Sequence, residues 1–333
     1  MSEPRSVKFL SPEEIATRNL GDTVFIRHAE TGQIFRDREL RLRQLAAGHS
    51  MRDYLIFMAD VAAAQHTLLQ KPRDVELPEL TFFQEAQSLG EPPLTPDRWK
   101  LSTQWVQDLQ ALLQDLIPRL QAGPTLNVLV SLRDASSDHL QLQAERLLQG
   151  IMLGLDLGTA PLIGAALQVY WARLIQQSVK TYGESIFGFV DNPTHCPCCG
   201  SRPVASVVRV GAVETGTRYL HCSLCQTQWH MVRIKCSHCE STKGVAYQSL
   251  KPLEPSSSSQ TGVPEGAVQA ETCDECGHYL KIVNMTKDLY VDPVADDLAS
   301  LTLDLLVSET GKERYGVNFM LLFGAPEDEP TKA

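Results

Sequence analysis

Four C-x-x-C pairs crowd one part of this sequence: Cys196/Cys199, Cys222/Cys225, Cys236/Cys239 and Cys273/Cys276. A two-residue gap lets a tight turn aim both sulfurs at one cation while turn amides donate to the sulfurs. Two such turns complete a tetrahedral four-sulfur site, the arrangement of zinc ribbons and rubredoxin-like proteins. The glycine after the second cysteine in "CPCCG" and "CDECG" suits the positive φ that such a turn needs. One isolated pair would carry little weight. Four pairs, with Cys198 the sole cysteine left over, point to two four-sulfur sites. The eight paired cysteines are therefore candidate metal ligands. A four-sulfur site suits iron or zinc, and the residues do not choose between them.

The pairs can combine sequentially, the first with the second and the third with the fourth. They can also nest, the central two together and the outer two across the whole stretch. Loop closure does not decide, because its cost grows only as about (3/2)RT ln of the length ratio. Chain geometry favours the sequential order, since "RPVASVVRVGAVETGTRYLHC" reads as a hairpin that brings the chain back to the first turn. Residues Gln226 to Lys235 would then be a short strap between two sites. Cys198 reads as a spare thiol. His195, His221, His230, His238 and His278 lie in the same stretch. Each could replace a cysteine in a site of three thiolates and one imidazole, but with eight thiols available they read as supporting or surface groups. Four thiolates on a divalent ion leave a negative site, which Arg233 or Lys235 would offset.

What must hold these turns is a larger helical body. Up to about residue 190 the apolar residues recur at helical spacing. Tyr54, Phe57, Met58, Val61 and Ala62 form one stripe that continues to Leu68 and Leu69. A second runs from Trp105 through Leu109, Leu112, Leu113 and Leu116 to Leu120. A third joins Leu140, Ala144, Leu147, Leu148 and Ile151. Pro118 should end or kink the second of these helices. "SLGEPPLTPDRW", Ser88–Trp99, is a proline-rich connector. "TAPLIGAALQVYWARLI", Thr159–Ile175, is shorter than a membrane span and carries Arg173, so it reads as a buried helix and no membrane insertion is expected. His28, His49, His66 and His139 are scattered, and this half shows no catalytic constellation.

Beyond residue 190 the pattern changes to short strands and turns, with a Ser/Pro/Gly-rich loop over Leu253–Gly266. "LYVDPVADDLASLTLDLLVSE" reads as one closing helix, capped by Asp292, with Pro293 in its first turn and Asp296 and Asp297 near the positive end of its dipole. The expected fold class is α+β: an N-terminal all-α helical domain, two tandem rubredoxin-like or zinc-ribbon-like four-sulfur metal modules, and a C-terminal helix. The expected boundaries are 1–188, 189–232, 233–290 and 291–333.

Composition narrows the function. The chain has 333 residues and a formal net charge of −10. That gives no electrostatic footprint for nucleic acid, so a zinc-ribbon nucleic-acid binder is disfavoured. "MSEPRSVKFLSPEEIATRNL" lacks the apolar core of a secretory signal, so a cytoplasmic location is expected. There, clustered cysteines serve as metal ligands rather than as a disulfide framework.

"CPCCGSRPVAS", "RYLHCSLCQTQWHMVRIKCSHCE", "CDECGHYLKI" and "DPVADDLASLTLDLL" together resemble the FdhE family of formate dehydrogenase accessory proteins. The resemblance spans Cys196 to about Leu306, and the helical half fits in length and character. It implies a cytoplasmic, non-enzymatic factor that acts on the catalytic subunit of formate dehydrogenase during maturation. It also implies iron on two four-cysteine sites, ligated by Cys196, Cys199, Cys222 and Cys225, and by Cys236, Cys239, Cys273 and Cys276, with zinc the alternative. Cys198 and the tail "VNFMLLFG" depart from the family pattern. A rubredoxin-like electron-transfer protein would use the same ligands and stands as the competing reading.

Overall fold

The computed structural model describes residues 23–29, 32–211, 216–250 and 264–323. Most of the Ser/Pro/Gly-rich segment and the last residue of "VNFMLLFG" lie outside these.

The helical half is built around its most apolar helix. The apolar stripes become α2 (Arg52–Gln70), α4 (Gln104–Leu116) and α6 (Ser137–Gln149), and further helices are α1 (Ile34–Leu45), α3 (Leu80–Ser88) and α5 (Pro124–Arg133). Helix α7, Ala160–Tyr182, is buried on every side from Ala160 to Ile175. A helix apolar all round must be enclosed, and α2, α4 and α6 pack against it. Each fully buried Leu, Ile or Val on such a face contributes about 1.5–3 kcal/mol relative to exposure. Arg173 is accommodated because its guanidinium reaches Asp108 on α4 at 2.8 Å and the Leu68 carbonyl at 2.9 Å. Pro118 ends α4 as a single 3-10 turn over Ile117–Arg119. Gly150 stops α6 in the left-handed region, which carries Ile151 past the helix end and leaves it exposed. Among the described residues no helix is long and apolar enough to cross a membrane.

The second half is one twisted sheet. Its strands are β1 (Ile26–Arg27), β2 (Pro203–Val208), β3 (Arg218–Cys222), β4 (Gln228–His230), β5 (Val245–Gln248), β6 (Val268–Cys273), β7 (His278–Asn284) and β8 (Glu313–Arg314). Their order is β1-β4-β3-β2-β7-β6-β5, with β8 also on β7. Each cysteine module supplies an antiparallel meander, β2-β3-β4 and β5-β6-β7. The two meanders join through a parallel pairing of β2 with β7, Ser206 opposite Ile282. Two residues of the otherwise helical N-terminal half complete the edge, with Ile26 opposite Trp229.

The closing segment differs from the single expected helix. It forms α8 (Pro293–Ala299) and α9 (Leu301–Ser308), broken at Ser300. The Ser300 hydroxyl donates to the Asp296 carbonyl at 2.7 Å, and the buried Lys281 ammonium donates to the Asp297 carbonyl at 2.6 Å. Side-chain donors thus take carbonyls that a continuous helix would need. Asp292 is the N-cap, accepting from the amides of Val294 and Ala295. The three carboxylates also do more than the helix start requires. Asp292 meets Arg38 and Asp296 meets Arg41, both arginines on α1, while Asp297 meets Lys281 and Arg314. These buried pairs fasten α8 to the first helix and to the sheet.

Candidate metal centres

The four turns share one backbone device. The residue after the second cysteine is left-handed in every case: Gly200 at φ 71°, Gln226 at 66°, Glu240 at 58° and Gly277 at 74°. Gln226 and Glu240 are the only non-glycine residues with positive φ among the described residues. A side chain there costs about 1–2 kcal/mol, so these two positions use their side chains. Gln226 Oε1 accepts from the buried Arg38 guanidinium at 2.8 Å, and Glu240 pairs with Lys235 at 3.2 Å. The turns aim amides at sulfur: Leu224 and Cys225 N–H to Cys222 Sγ at 3.3 Å, and His238 N–H to Cys236 Sγ at 3.4 Å.

The sulfurs gather in the sequential order. Cys196, Cys199, Cys222 and Cys225 form one set and Cys236, Cys239, Cys273 and Cys276 the other, with all ligand atoms of a set within 4.8 Å of one another. The hairpin that returns the chain is the β2–β3 pairing, which places Pro203 opposite Cys222. Sulfurs about 2.3 Å from one ion stand about 3.8 Å apart in a tetrahedron. In the second set Cys236–Cys276 and Cys239–Cys273 are both 3.8 Å apart; in the first, Cys196–Cys225 is 3.5 Å and Cys199–Cys222 is 3.4 Å. Both sets fit a tetrahedral thiophilic ion. Without a cation, burial pushes the Cys196 and Cys222 thiols well above their ordinary value. A cation reverses that preference, because it stabilises the thiolates it binds.

The two sets differ in surroundings. The first is sealed, its four cysteines 0–1% exposed within the same apolar cluster as Trp105, Leu109, Leu167 and Trp171 of the helical half. The Leu94 amide of the proline-rich connector donates to the Cys198 carbonyl at 2.9 Å, and the Leu94 carbonyl accepts from Trp171. Gln65 donates to Gln168, and Gln168 to the Ser223 carbonyl at 2.8 Å, so a buried amide relay ties α2 and α7 to the second turn. The spare thiol of Cys198 is fully buried in this seam. The second set is open: Cys239 is exposed and Cys276 half-buried.

The other predicted donors divide. His221 is buried against Gln226 and Gln228, and burial, with Arg38 nearby, pushes it down to about 4. His230 packs edge-on against Tyr219. Outside that group, His49, one of the scattered histidines, reaches the Ala299 carbonyl at 2.9 Å and helps hold the end of α8. His195, His238 and His278 surround a cleft of about 430 Å³ beside Cys239. Lys235 is engaged by Glu240, and the cation that reaches the second set's backbone is Lys312, which donates to the Cys273 carbonyl at 3.1 Å. Sequence reasoning missed Arg218. Its fully buried guanidinium meets Glu271 of β6 at 2.9 Å and donates to the Lys235 carbonyl at 2.9 Å, so one side chain of the first module holds both the strap and the second module.

Three family profiles match the chain: "FdhE, N-terminal" over residues 23–180, "FdhE, central domain" over 195–233 and "FdhE, C-terminal domain" over 234–321. Protein FdhE of Escherichia coli (strain SMS-3-5 / SECEC) is 37% identical over 295 residues, covering 88% of this chain and 90% of that protein. A Protein FdhE homolog of Cronobacter sakazakii is 38% identical over 299 residues, with the same coverage. The crystal structure of the FdhE protein from Pseudomonas aeruginosa superposes with a TM-score of 0.77 at 35% identity, covering 91% of this chain and all of that one.

Proposed function

This chain belongs to the FdhE family, and we propose that it is a cytoplasmic accessory factor for formate dehydrogenase maturation that binds the catalytic subunit of that enzyme. In this reading it acts by binding and not by turnover. Cys196, Cys199, Cys222 and Cys225 ligate one metal ion, and Cys236, Cys239, Cys273 and Cys276 a second. Iron is the assigned metal and zinc the alternative, since both suit four thiolates.

The observation that carries the reading is the contrast between two alike ligand sets on one sheet, one sealed in the core and one open beside a polar cleft. A sealed site fixes the fold, and an open one can face a partner. Residues 1–188 with 189–232 then act as the scaffold, 233–290 as the exposed module and 291–333 as the clasp between them.

The test is co-purification from the native host, with formate dehydrogenase activity measured in a strain lacking this protein. Capture of the catalytic subunit and loss of activity are expected. Full activity in that strain overturns the proposal. The exposure of Cys239 also suits electron exchange, which favours rubredoxin-like electron transfer as the second reading. That reading requires bound iron that cycles reversibly at a cellular potential; a zinc-filled protein from iron-replete cells excludes it.

A further inference from the structure

The loop Gly150–Gly158 and the tail from Val317 to Phe323 supply no metal ligand, yet both are held in place around a hollow of about 240 Å³. In the loop, the Gly154 carbonyl accepts from Gln143 at 3.0 Å and from Arg146 at 2.6 Å, and the Asp156 amide donates to the Gln143 side chain at 2.8 Å. In the tail, the Val317 amide donates to the Pro203 carbonyl at 3.0 Å, and the Asn318 side chain donates to Asp297 at 2.8 Å. Phe319 lies so close to Gly164 of α7 that a Cβ there would come within 2.8 Å of it. Met152, Leu155, Phe319, Leu322 and Phe323 line the hollow. Folding leaves apolar surface uncovered at its edge: Phe323 is 51% exposed, and in the loop Ile151 is 44% and Leu153 87% exposed. Single exposed leucines need no explanation, but apolar side chains gathered on held backbone around a hollow mark a contact surface. The volume lies below the roughly 300–1,000 Å³ of small-molecule sites and suits the anchoring side chain of a protein.

Charge narrows what docks there. Two arginines reach the hollow, Arg202 and Arg314. Arg314 is already neutralised by Asp297 and Asp304, each at 2.7 Å. Arg202 is exposed and forms no ion pair among the described residues; its guanidinium lies 5.9 Å from the centre of the Tyr315 ring. Arginine is enriched at the energetic centres of interfaces, where its planar fork takes a carboxylate by two hydrogen bonds. Arg202 also lines the polar cleft beside Cys239, so it stands where hollow and cleft meet.

We propose that this hollow is the docking site for the catalytic subunit, which inserts a large aliphatic side chain between the loop and the tail and sets a neighbouring carboxylate on Arg202. The inference rests on the reading that the chain binds that subunit, and it names the surface and the chemistry of the segment received. Leu153 and Phe323 close over the anchor and exclude water, which strengthens the Arg202 pair. A segment seated there brings the partner to the cleft on the open four-cysteine set.

The experiment measures the affinity of the purified catalytic subunit of formate dehydrogenase for the full-length, metal-loaded protein by titration calorimetry at low and high salt. The wild type should bind. Leu153→Asp and Arg202→Glu should each weaken binding at least about tenfold, and Arg202→Glu should also flatten its salt dependence. Both positions are exposed, and two metal equivalents with an unchanged thermal midpoint verify the fold of each variant. Leu289→Asp, at an exposed leucine of the separate hollow beside Arg41, should bind as the wild type does. A photo-crosslinking residue in place of Leu153 should attach to one segment of the catalytic subunit, and replacing the carboxylate of that segment by lysine should restore binding to the Arg202→Glu protein. No binding by the wild type overturns the functional reading and this surface with it. Wild-type affinity in either variant, or an equal loss in Leu289→Asp, overturns the surface and leaves the functional reading intact. A crosslink to Gly324–Ala333, to a second copy of this chain or to a segment without a carboxylate overturns the assigned occupant.

Discussion

Arg218 is the place where the two metal modules can be uncoupled by one atom group. Its side chain is fully buried and that of Glu271 is 2% exposed. The guanidinium holds the Glu271 carboxylate at 2.9 Å and the Lys235 carbonyl at 2.9 Å, and Tyr247 donates to the same carboxylate oxygen at 3.3 Å. Removing one partner leaves the other charged and dry, which costs about 3–5 kcal/mol. Glu271→Leu strands the guanidinium, and Arg218→Met strands the carboxylate together with the strap carbonyl. Each single variant should therefore lose about 3–5 kcal/mol. In Arg218→Met/Glu271→Leu no charge is stranded. What remains is a buried carbonyl without its donor, about 1–3 kcal/mol. Two singles summing to at least about 6 kcal/mol against a double of at most about 3 kcal/mol give a coupling of at least about 3 kcal/mol. The assay is equilibrium urea unfolding of the metal-loaded protein, where a loss of that size moves the midpoint by about 1 M or more. Arg52→Ala is the control, since its pair with Asp53 is exposed on both sides and is worth under about 1 kcal/mol. Additive single and double effects, or single effects as small as the control, would refute the claim that this pair joins the modules.

Two further outcomes follow from the same contrasts in burial. Cys222→Ser and Cys239→Ser should each lose one metal equivalent, but Cys222→Ser should cost more than about 4 kcal/mol because its site lies in the core shared with α4 and α7, while Cys239→Ser should leave the helical half nearly unchanged; equal shifts in thermal midpoint would sink the distinction between sealed and open sites. Burial pushes the Asp296 carboxyl up to about 6 against the opposing pull of Arg41. A carboxyl raised above its unfolded value of about 3.9 contributes stability that is fully present below that value and is lost as pH rises through about 6, here about 3 kcal/mol in all; an Asp296 carboxyl that titrates below about 4 by NMR contradicts this.

How much of this was legible in the sequence depends on the range of each interaction. The C-x-x-C turns are local, so spacing and the following glycine revealed them, and even the sequential pairing followed from one short hairpin. The helical stripes were legible for the same reason, since periodicity is a local signal. Gln226 and Glu240 were not legible as left-handed residues, because nothing in their own chemistry announces the strain that the turn imposes. Arg41 and Asp296 are 255 residues apart, and no pattern links them. Each of those aspartates satisfied the rules for a helix start, and a sufficient local explanation concealed a long-range one. Lys281 and Ser300 likewise broke the closing helix through contacts that helical periodicity does not encode.

The enclosure of the first set changes what the paired sites mean. A module with its own core would load and lose its ion without regard to the helices. Here the first four sulfurs share a core with α4 and α7, so loading that site is coupled to forming the whole body. The second set uses the same turns and the same four ligands but stands at the surface, with Cys239 exposed. An ion held there would meet solvent, whereas one held by the first set would be enclosed. The β2–β7 pairing and the Arg218–Glu271 contact keep the open set in fixed register with the sealed one. Two alike ligand sets, built on the same turns, thus differ by burial: one is sealed in the shared core and the other stands at the surface.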